Sequence, residues 1–276
     1  MTEEKGVLLK GVRKAYKSKG DDPTLCRFVK IPGAHKPRNH NPRLPGLELA
    51  FVQEGRTKFP KAIIQPGEVT HLLTTGHSNV KIGRDVRKGR HRGYWIYTLS
   101  LEERKTCPSS CQHWQTCYGN NMPFAKRIDH THPAFIPTLA KEIDTLITST
   151  YRPQSLATGI LIRLHALGDF YSTEYVGFWA KMLETYPRLA LYGYTARNRG
   201  DEIGRAIHGL NFVYGERCLI RFSNGGYDVM STVSINREDS RPENAFICPE
   251  QTGKTTCCAT CAACWGTKKN VAFLEH

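Results

Sequence analysis

Ten cysteines are the residues most able to do chemistry, and eight of them stand in two groups. The first group is Cys107, Cys111 and Cys117, three thiols in one loop-like stretch that also holds Pro108, Ser109 and Ser110. Three thiolates can hold a four-iron cluster with one iron left open for a ligand. With His113 as a fourth donor they can instead hold a structural zinc. The second group is Cys248 followed by Cys257, Cys258, Cys261 and Cys264. Cys258, Cys261 and Cys264 recur every third residue, and Cys248-Pro249 supplies a remote fourth ligand, a ferredoxin-like spacing. A four-cysteine zinc site satisfies the same spacing. Adjacent Cys257 and Cys258 rarely both reach one centre, so Cys257 reads as the spare. Cys26 and Cys218 are isolated and read as buried thiols.

Other polar residues are candidates by position. Gly168-Asp169-Phe170 makes a turn after an apolar run. Arg163, His165 and Arg221 lie on expected strands, while Tyr194, Arg197 and Asn224 follow strands and are expected to line a mouth. Asn79 and Lys81 precede the first long strand, within reach of a substrate phosphate. No Ser-His-Asp set, P-loop or dinucleotide fingerprint occurs, which leaves a hydrolase or NTPase reading without support.

The elements that must position these groups follow from periodicity. Tyr94–Leu101 is apolar, aromatic and β-branched, a buried strand directly before the first cysteine loop. Ile136–Ile147 has helical spacing, with Ile136, Leu139, Ile143 and Ile147 on one face. Gly159–His165 is a second strand. Ser172 caps a helix that runs to Tyr186, with Tyr175, Trp179, Met182 and Tyr186 on a core stripe and Pro187 as its stop. Leu189–Tyr194, Cys218–Phe222 and Val229–Ile235 read as further strands, and Asp201–His208 as a short helix. Strands alternating with helices predict an α/β fold with parallel βα units. The expected architecture is a partial (β/α)6-type barrel with its site at the C-terminal strand ends. It carries a basic N-terminal extension and a C-terminal cysteine-rich segment. The expected divisions are 1–92, 93–240 and 241–273, with Leu274-Glu275-His276 set aside as the start of a vector-derived tag.

Charge divides the chain unevenly. Residues 1–92 hold 20 Lys and Arg against 8 Asp and Glu, and so carry most of the net charge of +14. Such asymmetry points to a polyanion, nucleic acid above all. Residues 1–50 are rich in Pro, Gly and basic side chains and read as an arm without period. A second basic run, Lys81, Arg84, Arg87, Lys88, Arg90 and Arg92, carries a single Asp85. Its Gly83 and Gly89 predict a loop for phosphate contact, which positions a protein without reading sequence. There is no apolar run long enough for a membrane helix and no apolar leader near Met1. The expected compartment is therefore the reducing cytoplasm, of a host cell if the gene is phage-borne.

The order of strand, three-cysteine loop, helix, strand, Gly-acid turn, helix and strand resembles the radical S-adenosylmethionine superfamily. Trp95 through Asn198 also resembles a phage-encoded, cysteine-rich family with a Gly-Asp-Phe turn. The first resemblance implies that Cys107, Cys111 and Cys117 hold an open-site [4Fe-4S] cluster that chelates S-adenosylmethionine. It implies that Gly168, Asp169 and Phe170 contact the cofactor's amino group, with His165 and Arg221 nearby. Here the cysteine spacing is three residues then five, where three then two is usual, and Thr116 precedes Cys117. Tyr118 and Trp114 are the aromatics available for the adenine contact. The turn has Asp where Glu is common. The resemblance further implies a 5′-deoxyadenosyl radical and an external electron donor, while the ferredoxin-like spacing of Cys248, Cys258, Cys261 and Cys264 makes a second, closed [4Fe-4S] cluster the expectation there. The phage resemblance implies modification of a DNA base, flipped out or single-stranded. Two other readings stay open: a non-catalytic zinc or iron–sulfur protein that binds nucleic acid, and a radical enzyme acting on a peptide or small metabolite.

Overall fold

The computed structural model describes residues 46–223, 229–236 and 242–274. In chain order the elements are α1 (Gly46–Gln53), β1 (Ile63–Ile64), β2 (Thr74–Thr75), β3 (Tyr94–Ser100), β4 (Arg127–Ile128), α2 (Phe135–Ser149) and β5 (Gly159–Leu167). There follow α3 (Thr173–Thr185), β6 (Leu189–Thr195), α4 (Glu202–Val213), β7 (Cys218–Phe222), β8 (Thr232–Ile235) and β9 (Ala245–Ile247). The cysteine-rich end forms α5 (Cys258–Cys261), α6 (Ala263–Gly266) and β10 (Asn270–Leu274).

The main sheet has the order β2-β3-β5-β6-β7, with β2 antiparallel and the other pairings parallel. Helices α2, α3 and α4 make the crossovers. Their apolar faces pack on one side of the sheet, where Phe135, Leu139, Ile143, Trp179 and Leu183 meet Ile160, Ile162 and Leu191. Each such side chain contributes about 1.5–3 kcal/mol by leaving water. Ser172 caps α3 by accepting from Tyr175 N at 3.2 Å, and Asp201 caps α4 by accepting from Gly204 N at 2.6 Å. The last helix runs five residues past the expected His208, because Leu210 and Asn211 bury against β7.

The expected six-unit barrel is not what the described residues form. Three helices link four parallel strands in an open sheet. The stretch read as a further barrel strand supplies β8, which pairs instead with β10 in a separate parallel sheet of order β8-β10-β9. Leu274 therefore belongs to the fold: it ends β10, and its N–H donates to Gln251 Oε1 at 3.0 Å. The described part of the N-terminal region joins the same body, since β2 extends the main sheet along β3.

The face of the sheet opposite the helices is covered by the cysteine-rich end. Cys257, Ala259 and Cys264, with Trp265, pack on Ile96, Leu161, Ala190 and Tyr192 and on Ile82 and Val86 from the basic stretch. Backbone bonds fasten the layers: Cys258 N donates to Lys81 O at 2.8 Å, Ala259 N to Ile82 O at 2.9 Å and Arg87 N to Ala259 O at 3.0 Å.

Candidate metal centres and their surroundings

The first cysteine loop leaves the C-terminal end of β3 beside the turn that ends β5. Leu101 N donates to Leu167 O at 2.9 Å, and Asp169 N donates to Thr106 Oγ1 at 3.0 Å. Gly168 has φ of +81°, and a Cβ there would lie 2.6 Å from Thr106 Oγ1, so only glycine lets the two segments close. Asp169 is buried. Its Oδ1 accepts from Phe170 N and its Oδ2 from Ala196 N, both at 2.7 Å. Burial pushes its pKa up to about 6, against the lowering pull of those bonds, the Thr195 hydroxyl and Arg197. Arg197 ties the turn to the loop, donating to Phe170 O and Thr106 O at 2.8 Å each.

Cys107 and Cys111 lie in the electrostatic field of Asp169, and Cys107 in that of Cys111 and Cys117. Burial raises all three thiols, Cys117 to about 11 with Glu103 adding to the effect. The loop is anchored by Glu103, which receives Arg127 Nε at 2.7 Å and another Arg127 N–H at 2.9 Å. Arg104, at φ of +68°, donates to Trp114 O at 3.0 Å and Asn120 Oδ1 at 2.5 Å. Neither arginine stood out in the sequence, because Trp114 and Asn120 lie 10 and 16 residues from Arg104, and Glu103 lies 24 from Arg127, with no local period. Tyr118 is half exposed; its hydroxyl, crowded by Arg163, Cys117 and Cys107, is pushed up to about 12 by burial. His113 is exposed and lies 3.3 Å from Ser234 Oγ.

The side chains of three expected cofactor contacts pack into other layers of the fold. Phe170 and His165 turn into the helix-side core, where His165 Nε2 lies 2.9 Å from Tyr175 Oη and burial lowers its pKa to about 3. The pairing of β5 with β3 slips just past Leu164: Leu99 faces Leu164, but Ser100 faces Leu167. Strand alternation breaks there, and His165 does not share the face of Arg163. Arg221, also buried, donates to Cys264 O at 3.2 Å, Lys269 O at 2.7 Å and Thr267 O, and so supports the second group. Asn224, Cys26 and the first 45 residues lie outside the described residues.

The second group lies on the sheet. Cys248, Cys258, Cys261 and Cys264 line one cavity of about 10 Å3 together with Phe246, Trp265 and others. Cys257 does not line it; its backbone N–H donates to Thr260 Oγ1 at 3.3 Å and its sulfur packs at Gly83. Burial raises the thiols of Cys258, Cys261 and Cys264. Tyr194 donates to Cys264 Sγ at 2.9 Å. Soft thiolates suit zinc or iron–sulfur, and these four supply a complete donor set. In neither group, among the described residues, do three His, Cys, Asp or Glu side chains already converge as they would on a bound ion.

The basic run forms a hairpin-like excursion in which Val86 N donates to Tyr94 O at 2.9 Å and Gly93 N to Val86 O at 2.8 Å. Acids already hold most of its cations. Lys81 meets Glu250 at 3.5 Å, Arg84 and Arg87 share Asp85 at 2.9 and 3.1 Å, and Arg90 meets Glu216 at 3.4 Å. Lys88 and Arg92 are exposed with no acid against them among the described residues.

A family model described as gene product 88 matches residues 71–267. The chain belongs to the gene product 88 family. The match takes in both cysteine groups, the Gly168-Asp169-Phe170 turn, the basic run and the whole main sheet. A numbered gene product agrees with the phage-encoded family that the sequence resembles, whereas no radical S-adenosylmethionine family model matches. No curated protein and no solved structure matches this gene product 88 chain. No helix among its described residues is long and apolar enough to cross a membrane.

Proposed function

We propose that this gene product 88 protein is a metal–sulfur enzyme of the radical S-adenosylmethionine type that acts on nucleic acid, DNA in particular. The observation that carries the reading is the meeting of the three-cysteine loop with buried Asp169 at the C-terminal ends of β3 and β5. Cys107, Cys111 and Cys117 would hold a [4Fe-4S] cluster, which supplies one-electron reductive cleavage of S-adenosylmethionine given an external electron donor. Asp169 keeps lone pairs beyond its two backbone bonds and receives an ammonium group in a dry setting, where a charge-assisted bond is strong. Gly168 brings that carboxylate to the loop, and Arg197 fixes the distance between them. The half-exposed Tyr118 offers an aromatic wall. Lys88 and Arg92 are the exposed cations for phosphate, joined by the basic residues of the first 45.

A second reading applies to the C-terminal group. Its four cysteines line one cavity and make a tetrahedral donor set that a single zinc takes as readily as a four-iron cube does. Anaerobic reconstitution followed by iron, sulfide and zinc analysis tests both. About four irons per occupied cluster are expected, with Cys111→Ala losing the first and keeping whatever the second group holds. S-adenosylmethionine should perturb the cluster spectrum, and Asp169→Ala should weaken that binding by about 1–3 kcal/mol. Zinc in both groups with no iron would overturn the enzyme reading and leave a metal-bearing nucleic-acid-binding protein.

A further inference from the structure

Both cysteine groups have buried guanidinium groups beside them. At the first, Glu103 has Arg127 at 2.7 Å and Asp169 has Arg197 close by, while buried Arg104 bonds carbonyls and an amide. At the second, Arg221 is buried and Arg163, which also faces Tyr118 of the first loop, is half-buried, neither with an acid against it among the described residues. Arg221 is fully buried and spends its N–H groups on carbonyls alone. Arg163 rests 5.6 Å over the Tyr194 ring, and its Nε is buried without a hydrogen-bond partner among the described residues. Tyr194 is the residue whose hydroxyl reaches Cys264 Sγ at 2.9 Å. Two more donors in the same layer lack an acceptor among the described residues, Tyr192 Oη and Trp265 Nε1, whose rings are 4.8 Å apart. Trp265 lines the cavity with the four cysteines.

Buried cations and idle donors are costly unless an anion meets them. Here the side chains around them are thiols and phenols, and the one acid that lines the cavity among the described residues, buried Glu250, faces Lys81 at 3.5 Å. Four thiolates on one zinc or on one [4Fe-4S] cluster make a net dianionic centre. We infer that Arg163 and Arg221 are its built-in counter-charge, and that Tyr192 and Trp265 are donors waiting for its sulfurs. They are supporting residues, not ligands. The inference rests on the reading that Cys248, Cys258, Cys261 and Cys264 hold a metal centre. It adds that this centre must be anionic, and that strands β5, β6 and β7 of the enzyme's own sheet hold it.

The test uses the full chain, reduced and metal-free, titrated anaerobically with cobalt(II) against a chelator, with the thiolate-to-cobalt absorption as the signal. Loss of signal in Cys261→Ser assigns the C-terminal share. Arg163→Met should weaken that share about 10- to 100-fold, the usual range for an outer-shell partner, and Arg163→Lys should restore most of it. The metal-free Arg163→Met protein should unfold at the same temperature as the parent or higher, since an unmatched cation is gone. A purely structural arginine would lower both affinity and metal-free stability, so a paired loss overturns the inference, as does unchanged cobalt affinity in Arg163→Met. If the parent takes up no cobalt through Cys261, the metal reading itself fails, and the inference with it.

Discussion

Replacing Asp169 by asparagine isolates the energetic signature of the turn. The carboxyl has a pKa of about 6 in the fold against an ordinary 3.8, with burial as the main cause. A raised carboxyl pKa means that the native state binds the extra proton. Its ionisation therefore costs stability, starting as pH rises past the ordinary value and complete above the folded one. The shift corresponds to about 3 kcal/mol at pH 7, and the group is too buried for solvent screening to reduce it much. The amide of the Asp169→Asn variant carries no charge, so it escapes this cost. It also loses one acceptor: Phe170 N and Ala196 N each bond a different oxygen, and the amide offers only one. One unpaired buried N–H costs about 1–3 kcal/mol. Below pH 4 the variant should thus be the less stable protein or equal to the parent. Through pH 4 to 6 the difference should move by about 3 kcal/mol in the variant's favour, then stay flat to pH 8. Urea unfolding of both reduced, metal-free proteins at half-unit pH steps reads the difference directly. A difference that stays constant across the range would refute the assignment of a buried, proton-binding Asp169.

Further outcomes follow from the same geometry. Gly168→Ala forces a side chain into a left-handed backbone against Thr106 and Leu101; thermal unfolding should show a loss of about 2–4 kcal/mol. Arg127→Met strands the buried Glu103 carboxylate, and chemical denaturation should register about 3–5 kcal/mol of destabilisation. In salt-dependent DNA titrations Lys88→Glu with Arg92→Glu should flatten the slope of log affinity against log salt and weaken all sequences alike. The parent's slope should persist in Arg84→Gln, because Arg84 is already held by Asp85; an unchanged slope in the Lys88 and Arg92 double variant would show that the loop does not bind phosphate.

Much of the helix-side layer was legible in the sequence. β7 spans Cys218–Phe222 as its apolar run indicates, α3 starts at the Ser172 cap, and the Tyr175–Trp179 stripe is core. These features are set by neighbours two to four residues apart, where period and capping speak directly. The number of barrel units was not legible. A short β-branched run such as Thr232–Ile235 pairs with whichever edge is free, and the free edge came from β10 near the far end of the chain. The face of His165 was not legible either, because alternation gives a face only if the strand stays regular, and the pairing of β5 with β3 slips just past Leu164.

By itself the sequence determined the two cysteine groups, the α/β alternation and the excess of basic charge in the first 92 residues. Those are properties of residue identity and short spacing. Only the tertiary structure decided that the second cysteine group lies on the sheet, under Tyr192, Tyr194, Arg163 and Arg221. It also decided that Cys257 packs apart from the other four, and that most cations of the basic loop already face acids. Charge compensation and burial depend on which residues meet across tens to more than a hundred positions, as Arg90 meets Glu216, and no local pattern encodes such meetings.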